Sequence, residues 1–335
     1  MMSIKYQNSA IVRTMCLTVL TFVIVAFPAS SLEFPRLSNI LGLSEKASDE
    51  IREEERISEV LDQNADYRNL FRSIRNPDIQ LKNHVRIGEE LKYQAKWRGF
   101  PAGSVHLLAK RETNLKNRPV YVFELYVESN DFLNVSAAYP VSTKINSYVD
   151  AVNGRSYLIR RLVSERNRSY KDRLEFKYDF RLPNGITDPV SKYSRVGDNG
   201  KEEANRPFPI PGNMQDMVSI IYYIRGLELN KIGDSCSLLL GGRMKPVLTS
   251  LSVIAEERVD VPNIGTFNCL VVEPHTDGTN LSGNLVATRG GERVWLEKNT
   301  RIPVMVSAEL PKPLGTVVAT LIQADNCTLL QHSVK

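Results

Sequence analysis

Few residues in this sequence combine a type that does chemistry with a spacing that suits it. Two carboxylates suffice for glycoside hydrolysis, one as acid and one as base or nucleophile. Asp216 is the one catalytic candidate, and a weak one, with Asp150 and Glu273 as conceivable partners. It falls at the start of an expected helix, where a carboxylate has a simpler use. There it accepts from free backbone N–H groups and meets the positive end of the helix dipole. That structural role is the favoured expectation for Asp216. Arg225, nine residues on, reads as an anchor for a loop or a buried carboxylate.

The denser signal is basic. Arg155, Arg160, Arg161, Arg166, Arg168, Lys171 and Arg173 fall within 19 residues, offset by Glu165 and Asp172. On a two-stranded hairpin they make a positive rim. Guanidinium forks match phosphate and carboxylate bidentately, so such a rim suits anionic headgroups or an acidic polysaccharide. The plainer expectation is a solvated hairpin face whose charges protect a sheet edge. Arg160, Arg161, Arg166 and Arg168, with the tryptophans Trp97 and Trp295, are the ligand-binding candidates.

Other chemistries lack their residues. His84, His106, His275 and His332 are scattered, with no two at ligand spacing, so neither a metal site nor a cofactor is expected. There is no nucleophile elbow of the G-x-S-x-G kind and no Gly-rich phosphate loop. Past the N-terminal segment three cysteines remain, Cys236, Cys269 and Cys327, an odd count that gives no disulfide framework.

The elements that must position these residues are mostly strands. From Gly88 onward the apolar period is two, the mark of half-buried strands. Leu91, Tyr93, Ala95 and Trp97 alternate with Lys92, Gln94 and Lys96. A turn at 99–103 leads to a partner strand over 104–110. Tyr121, Phe123, Leu125 and Val127 alternate with Val122, Glu124, Tyr126 and Glu128, and Leu174, Phe176, Tyr178 and Phe180 with Arg173, Glu175, Lys177 and Asp179. Similar runs occupy about 144–149, 156–164, 235–240, 247–258, 267–273, 292–297, 303–310 and 315–322. Alternation of this kind is antiparallel, since parallel strands buried on both faces read as continuous apolar runs. Cys236 and Cys269 then flank the strand at 247–258, about 9–10 Å apart and too far to bridge.

One helix interrupts the strands. After Pro209, Pro211 and Gly212, with Asn213 as cap, Met217, Ile220, Ile221 and Ile224 recur at helical spacing over 213–226. The polar stretch 183–206 before it reads as a loop. Upstream, Ser44 caps a highly charged helix to about Leu61, and a second short helix follows at 67–74. The expected fold is mainly β: a curved antiparallel sheet or open or half β-barrel with one packed helix, plus an N-terminal helical segment. Tyr93, Trp97, Tyr121, Phe123, Phe176, Tyr178 and Trp295 fill its core or line a cavity, which periodicity alone does not decide.

An ordered series of short blocks resembles a known family. It runs from Gly88-Glu89-Glu90-Leu91-Lys92-Tyr93 through Trp97 and the segment Gly99 to Gly103. It continues with Tyr139-Pro140-Val141, Ser147-Tyr148-Val149-Asp150, and Gln215-Asp216 with Ser219, Tyr222-Tyr223 and Arg225. Gly265-Thr266-Phe267, Trp295, Arg301-Ile302-Pro303-Val304 and Gly315 complete it. Together these blocks resemble the bacterial envelope family known as domain of unknown function 3108. The resemblance implies an exported β-rich protein, with no activity or catalytic residues to carry over. The charged segment 44–74 departs from the family pattern.

Export is also read from the N-terminus. Lys5 and Arg13 precede an uncharged apolar run from Thr14 to Phe27, shorter than the roughly 20 residues of a spanning helix. Pro28 ends it, and Ala29-Ser30-Ser31 supplies small residues for cleavage after Ser31. Residues 1–31 are thus expected to be a signal peptide, 32–80 a charged helical leader and 88–325 the β domain, in a periplasmic or otherwise exported protein. Removing 1–31 lowers Lys+Arg from 43 to 41 against 38 acids, so the net charge falls from +5 to +3. That excludes a strongly basic nucleic-acid binder. Three functions fit: binding of an amphiphilic or glycan ligand without catalysis, a periplasmic carbohydrate-active hydrolase, or an envelope assembly factor that docks a protein partner through 44–74.

Overall fold

A computed structural model describes residues 76–129, 141–165, 168–179, 189–197, 200–204, 208–241, 246–276, 292–309 and 315–329. The expected signal peptide, both helices of the leader and Arg166 lie outside these residues, as does the side chain of Arg168.

Alternation becomes strand throughout. In chain order the strands are β1 (Glu90–Trp97), β2 (Phe100–Leu115), β3 (Arg118–Ser129), β4 (Val141–Asp150), β5 (Ser156–Glu165), β6 (Arg168–Lys177), β7 (Val190–Gly197), β8 (Glu202–Ala204) and β9 (Phe208–Pro209). After one helix come β10 (Ser235–Leu240), β11 (Val247–Val261), β12 (Gly265–Thr276), β13 (Arg293–Glu297), β14 (Pro303–Glu309) and β15 (Thr316–Asp325). They form a single open sheet in the order β10-β11-β12-β13-β14-β15-β1-β2-β3-β4-β5-β6-β7-β8, with β9 paired to β7. All these pairings are antiparallel. Nearly all neighbours in the sheet are neighbours in the chain; the exceptions are β15, which returns to pair with β1, and β9, which pairs with β7.

The sheet curls until β10 comes back beside β6. Eleven steps separate β10 from β6, which at about 4.8 Å per strand is over 50 Å in a flat sheet. Yet a Cβ on Gly241, immediately after β10, would lie 2.5 Å from Phe176 Cζ of β6. The seam between these ends is filled by irregular chain. β9 lies on β7, and Gln215 bridges Leu240 in parallel, its carbonyl accepting the Gly241 N–H at 2.6 Å. On the other side Ser156 N–H of β5 donates to the Met214 carbonyl at 2.9 Å. Asn76 completes the edge of β10: its amide donates to the Leu239 carbonyl at 2.9 Å and accepts the Leu239 N–H at 2.8 Å, in place of a neighbouring strand.

The helix is shorter than its apolar spacing suggests. α1 spans Ser219–Tyr223 and runs into a 3-10 turn over Ile224–Gly226, whereas 213–218 are not helical. Asn213 is no cap; its amide holds the Pro77 carbonyl at 3.0 Å. The cap is built by Asp216 and Ser219. Asp216 Oδ1 accepts from Val218 N–H and Ser219 N–H, and Ser219 Oγ accepts from Asp216 N–H, a reciprocal arrangement like a capping box. The most buried helical side chains are Tyr222 and Tyr223, with Ile220 and Ile221 only partly covered. The reason is that α1 lies between two hydrophobic clusters rather than on one. Tyr222 stacks on Phe123 of β3, ring centroids 3.8 Å apart, in the larger cluster. Tyr223 and Ile224 enter the smaller one, with Leu251, Val253, Leu270, Val272 and Leu296 of β11–β13. A bulge in β11 between Val253 and Ala255 switches which alternate residues face which cluster.

Two further expectations change. The segment 183–206 is not simply loop, since it contains β7 and β8. Only Val190, Ser191 and Tyr193 of β7 are buried among mostly polar residues, so the strand owes its order to backbone pairing with β6. The β1–β2 connection is a two-residue turn, Arg98-Gly99, both with positive φ as in a type I′ hairpin, and β2 begins at Phe100. Cys236 and Cys269 do flank β11, and both thiols are free.

Candidate functional site

Register assembles a face that no single strand shows. The even-numbered residues 124–128 of β3, 142–148 of β4 and 158–164 of β5 point away from the Phe123, Ile145 and Ile159 core. One row across the strands is His106, Tyr126, Lys144, Leu162 and Lys171; the next is Glu124, Asn146, Arg160 and Arg173. Tyr148 of β4 lies beside them, paired to Leu158. Rings and cations interleave here. Lys144 Nζ sits 4.9 Å from the Tyr126 ring centre, Arg160 lies 5.6 Å from that of Tyr148, and His106 stacks on Tyr126.

Two acids on this face, Glu124 and Glu175, are already committed. Glu124 takes Lys110 at 2.9 Å and the Tyr126 hydroxyl at 2.7 Å. Burial raises the proton affinity of its carboxyl, but the Tyr126 and Lys110 bonds and the Lys144 charge outweigh it and hold the pKa below its ordinary value. Glu175 takes Lys116 and Arg173, each at 3.0 Å. Among the described residues no carboxylate pairs with Arg160 or Lys171. Arg160 and Arg173 stand directly opposite across β5 and β6. Like charges so placed are destabilising. Nor is this an edge: β4 and β7 flank the pair, so the edge-protection explanation of the cluster does not apply.

The other candidates lie elsewhere. Arg161 faces inward, not outward with the rim. It is buried against Asp172, which also accepts Arg195 Nε at 2.7 Å and the Tyr193 hydroxyl at 2.9 Å. Arg155 is drawn to the seam, over the Tyr178 ring and 3.8 Å from Asp78. Trp97 is at the β1–β2 tip, four strands from β5. Trp295 is buried in β13, seven strands from β5, donating its indole N–H to Glu257 at 2.8 Å. Neither tryptophan joins the arginine face. Tyr126, Lys144, Tyr148 and His106 do join it, without having been candidates; their signal is an aromatic or cation in the solvent phase of a strand.

Asp216 is occupied as well. Its Oδ1 holds the two helix N–H groups at 2.8 and 3.0 Å; its Oδ2 takes the Ser147 hydroxyl at 2.5 Å and that of Ser156. Both oxygens are saturated in a side chain 1% exposed. Asp150 caps the β4–β5 turn through the Val152 and Asn153 N–H groups and accepts Tyr157, and Glu273 lies 3.8 Å from Arg293. Arg225 pairs with buried Glu89 through both guanidinium nitrogens, at 2.8 and 2.9 Å. No group of three or more metal-ligating side chains occurs among the described residues.

The strand series on which these residues sit is also what comparison detects. A family model described as a protein of unknown function (DUF3108) matches residues 92–322. The chain belongs to this family. No curated protein matches it. Among solved structures, the DUF3108 chain is similar to a beta-barrel-like protein of domain of unknown function DUF1849 from Brucella abortus. That match has 10% identity over 72% of this chain and 98% of the other, with a TM-score of 0.42. It is also similar to an exported-protein candidate with a YmcC-like fold from Bacteroides fragilis. There the identity is 9% over 75% of this chain and 100% of the other, with a TM-score of 0.32.

Proposed function

We propose that this DUF3108 protein is exported to a bacterial envelope and binds an anionic amphiphile or glycan there without transforming it, through the outward face of β3–β6. The observation that carries this reading is Arg160, opposed by Arg173 and with no carboxylate partner among the described residues. Arg173 is met by Glu175, whereas among the described residues Arg160 has the Tyr148 ring and no carboxylate, so a bound phosphate or carboxylate would relieve the charge left at Arg160. The rings of Tyr126 and Tyr148, each with a cation against it, set aromatic surface beside that anionic group. Export rests on the apolar run 14–27 and the small residues before Leu32. The hydrolase reading is weakened by Asp216, whose lone pairs are spent on the helix cap and two serines.

The test is native mass spectrometry of the full chain purified from its own envelope. A co-purifying lipid or glycan is expected, and it should be lost in the double variant Arg160→Glu, Lys171→Glu with the melting temperature preserved. A parent that carries no adduct, or a variant that retains the same one, rules the reading out.

A further inference from the structure

The β1–β2 hairpin ends in a short aromatic tip that the ligand face does not use. Trp97 and Phe100 are cross-strand partners closing the two-residue turn Arg98-Gly99. Phe100 is 51% exposed, and among the described residues it is the aromatic with a large exposed ring surface. Arg98 lies over the Trp97 ring at 5.4 Å. Residues 96–102 hold two cations, Lys96 and Arg98, and no acid. Both turn residues have positive φ, 48° and 84°, so the tip is held by a tight hairpin rather than a slack loop.

Topology gives the tip company. In an antiparallel meander the β1–β2 and β5–β6 turns fall at the same end of the sheet. Near that end of β5–β6 stands exposed Leu162, paired with Lys171. Leu162 and Lys171 belong to the arginine face, so the contact at this end is that of the tip itself. Aromatic rings that seat at the headgroup level, with cations reaching anionic phosphates, are the features of an interfacial contact with a bilayer. The remaining exposed apolar residues, such as Val152 and Ile232, are single aliphatic side chains without an aromatic neighbour in a turn.

We infer that this end of the sheet rests on an anionic lipid bilayer, with Phe100 and Trp97 seated among the headgroups and Lys96 and Arg98 against their phosphates. The inference goes beyond ligand binding by the arginine face and rests on the exported location, not on that face. The experiment uses the full chain and vesicles of phosphatidylglycerol and phosphatidylethanolamine with brominated acyl chains. Trp295 is buried, so quenching reports Trp97. Quenched, blue-shifted emission is expected, with weaker binding to phosphatidylcholine vesicles. Phe100→Ser should lower vesicle partition about tenfold with an unchanged melting temperature. Absence of quenching, equal binding to phosphatidylcholine, or undiminished partition of Phe100→Ser would each overturn it. If Arg160→Glu releases the protein from vesicles while Phe100→Ser does not, the tip inference fails and the arginine face stands.

Discussion

Asp216 shows how a residue can look chemical in sequence and be consumed by structure. Its neighbours Ser147 and Ser156 come from β4 and β5, some 60–70 positions upstream, and meet it because the seam segment crosses there. Four donors converge on one carboxylate, so its removal strands two hydroxyls and two N–H groups in a dry site. Asp216→Ala should cost about 3 kcal/mol, read from chemical denaturation, because each unsatisfied buried donor costs about 1–3 kcal/mol and partial relaxation recovers some. Arg225 and Glu89 repeat the pattern: a charge pair enclosed by Tyr222 on one side, linking the 3-10 turn to the chain just before β1.

Across elements, register decides what charge does. Arg161, Asp172 and Arg195 are directly paired residues of β5, β6 and β7, so one carboxylate serves two guanidinium groups. Burial raises the proton affinity of Asp172, but Arg195 and Arg161 outweigh it and hold its pKa below the ordinary 3.8. With the folded value depressed, the pair stabilises at pH above the unfolded carboxyl value and that gain is lost as pH falls through the folded one. Asp172→Asn leaves buried Arg161 and half-buried Arg195 with less compensation and should cost about 3 kcal/mol at neutral pH. Its melting temperature should also vary less with pH below about 4 than the parent's, by calorimetry across that range. One residue over, Arg160 and Arg173 face outward with the opposite consequence. Sequence showed the basic cluster and its hairpin; it did not show the division, because Arg160 and Arg161 differ only in strand phase.

On the scale of the molecule, closure is made by irregular chain and the Asn76 side chain rather than by a last strand ladder. The sheet is long enough to curl end to end, and Asn76 and residues 213–216 occupy the seam. Asn76→Ala removes the amide that pairs Leu239, leaving its buried N–H unmatched and its C=O with the long 3.5 Å bond from Gln215 N–H. It should cost about 2 kcal/mol and speed amide exchange at Leu239 and Gly241 while β1–β5 keep their protection.

Two-residue periodicity by itself determined the class, the antiparallel pairing and most strand limits. It also placed β11 between Cys236 and Cys269, so that their thiols stay apart. These are local properties: a strand with one covered face writes its alternation into eight or ten consecutive residues. It failed at β7, where polar residues interrupt the pattern; at α1 the one-faced spacing of Met217, Ile220, Ile221 and Ile224 suggested a longer helix than Ser219–Tyr223, which is covered on two sides. Only the tertiary structure decided that Asp216 is a cap, that Arg161 is a core ion and Arg160 a surface one, and that the sheet closes on Asn76 and Gln215. Those outcomes depend on groups up to 163 positions apart meeting at hydrogen-bond distance. Such meetings follow from sheet order and curl, which no local pattern encodes.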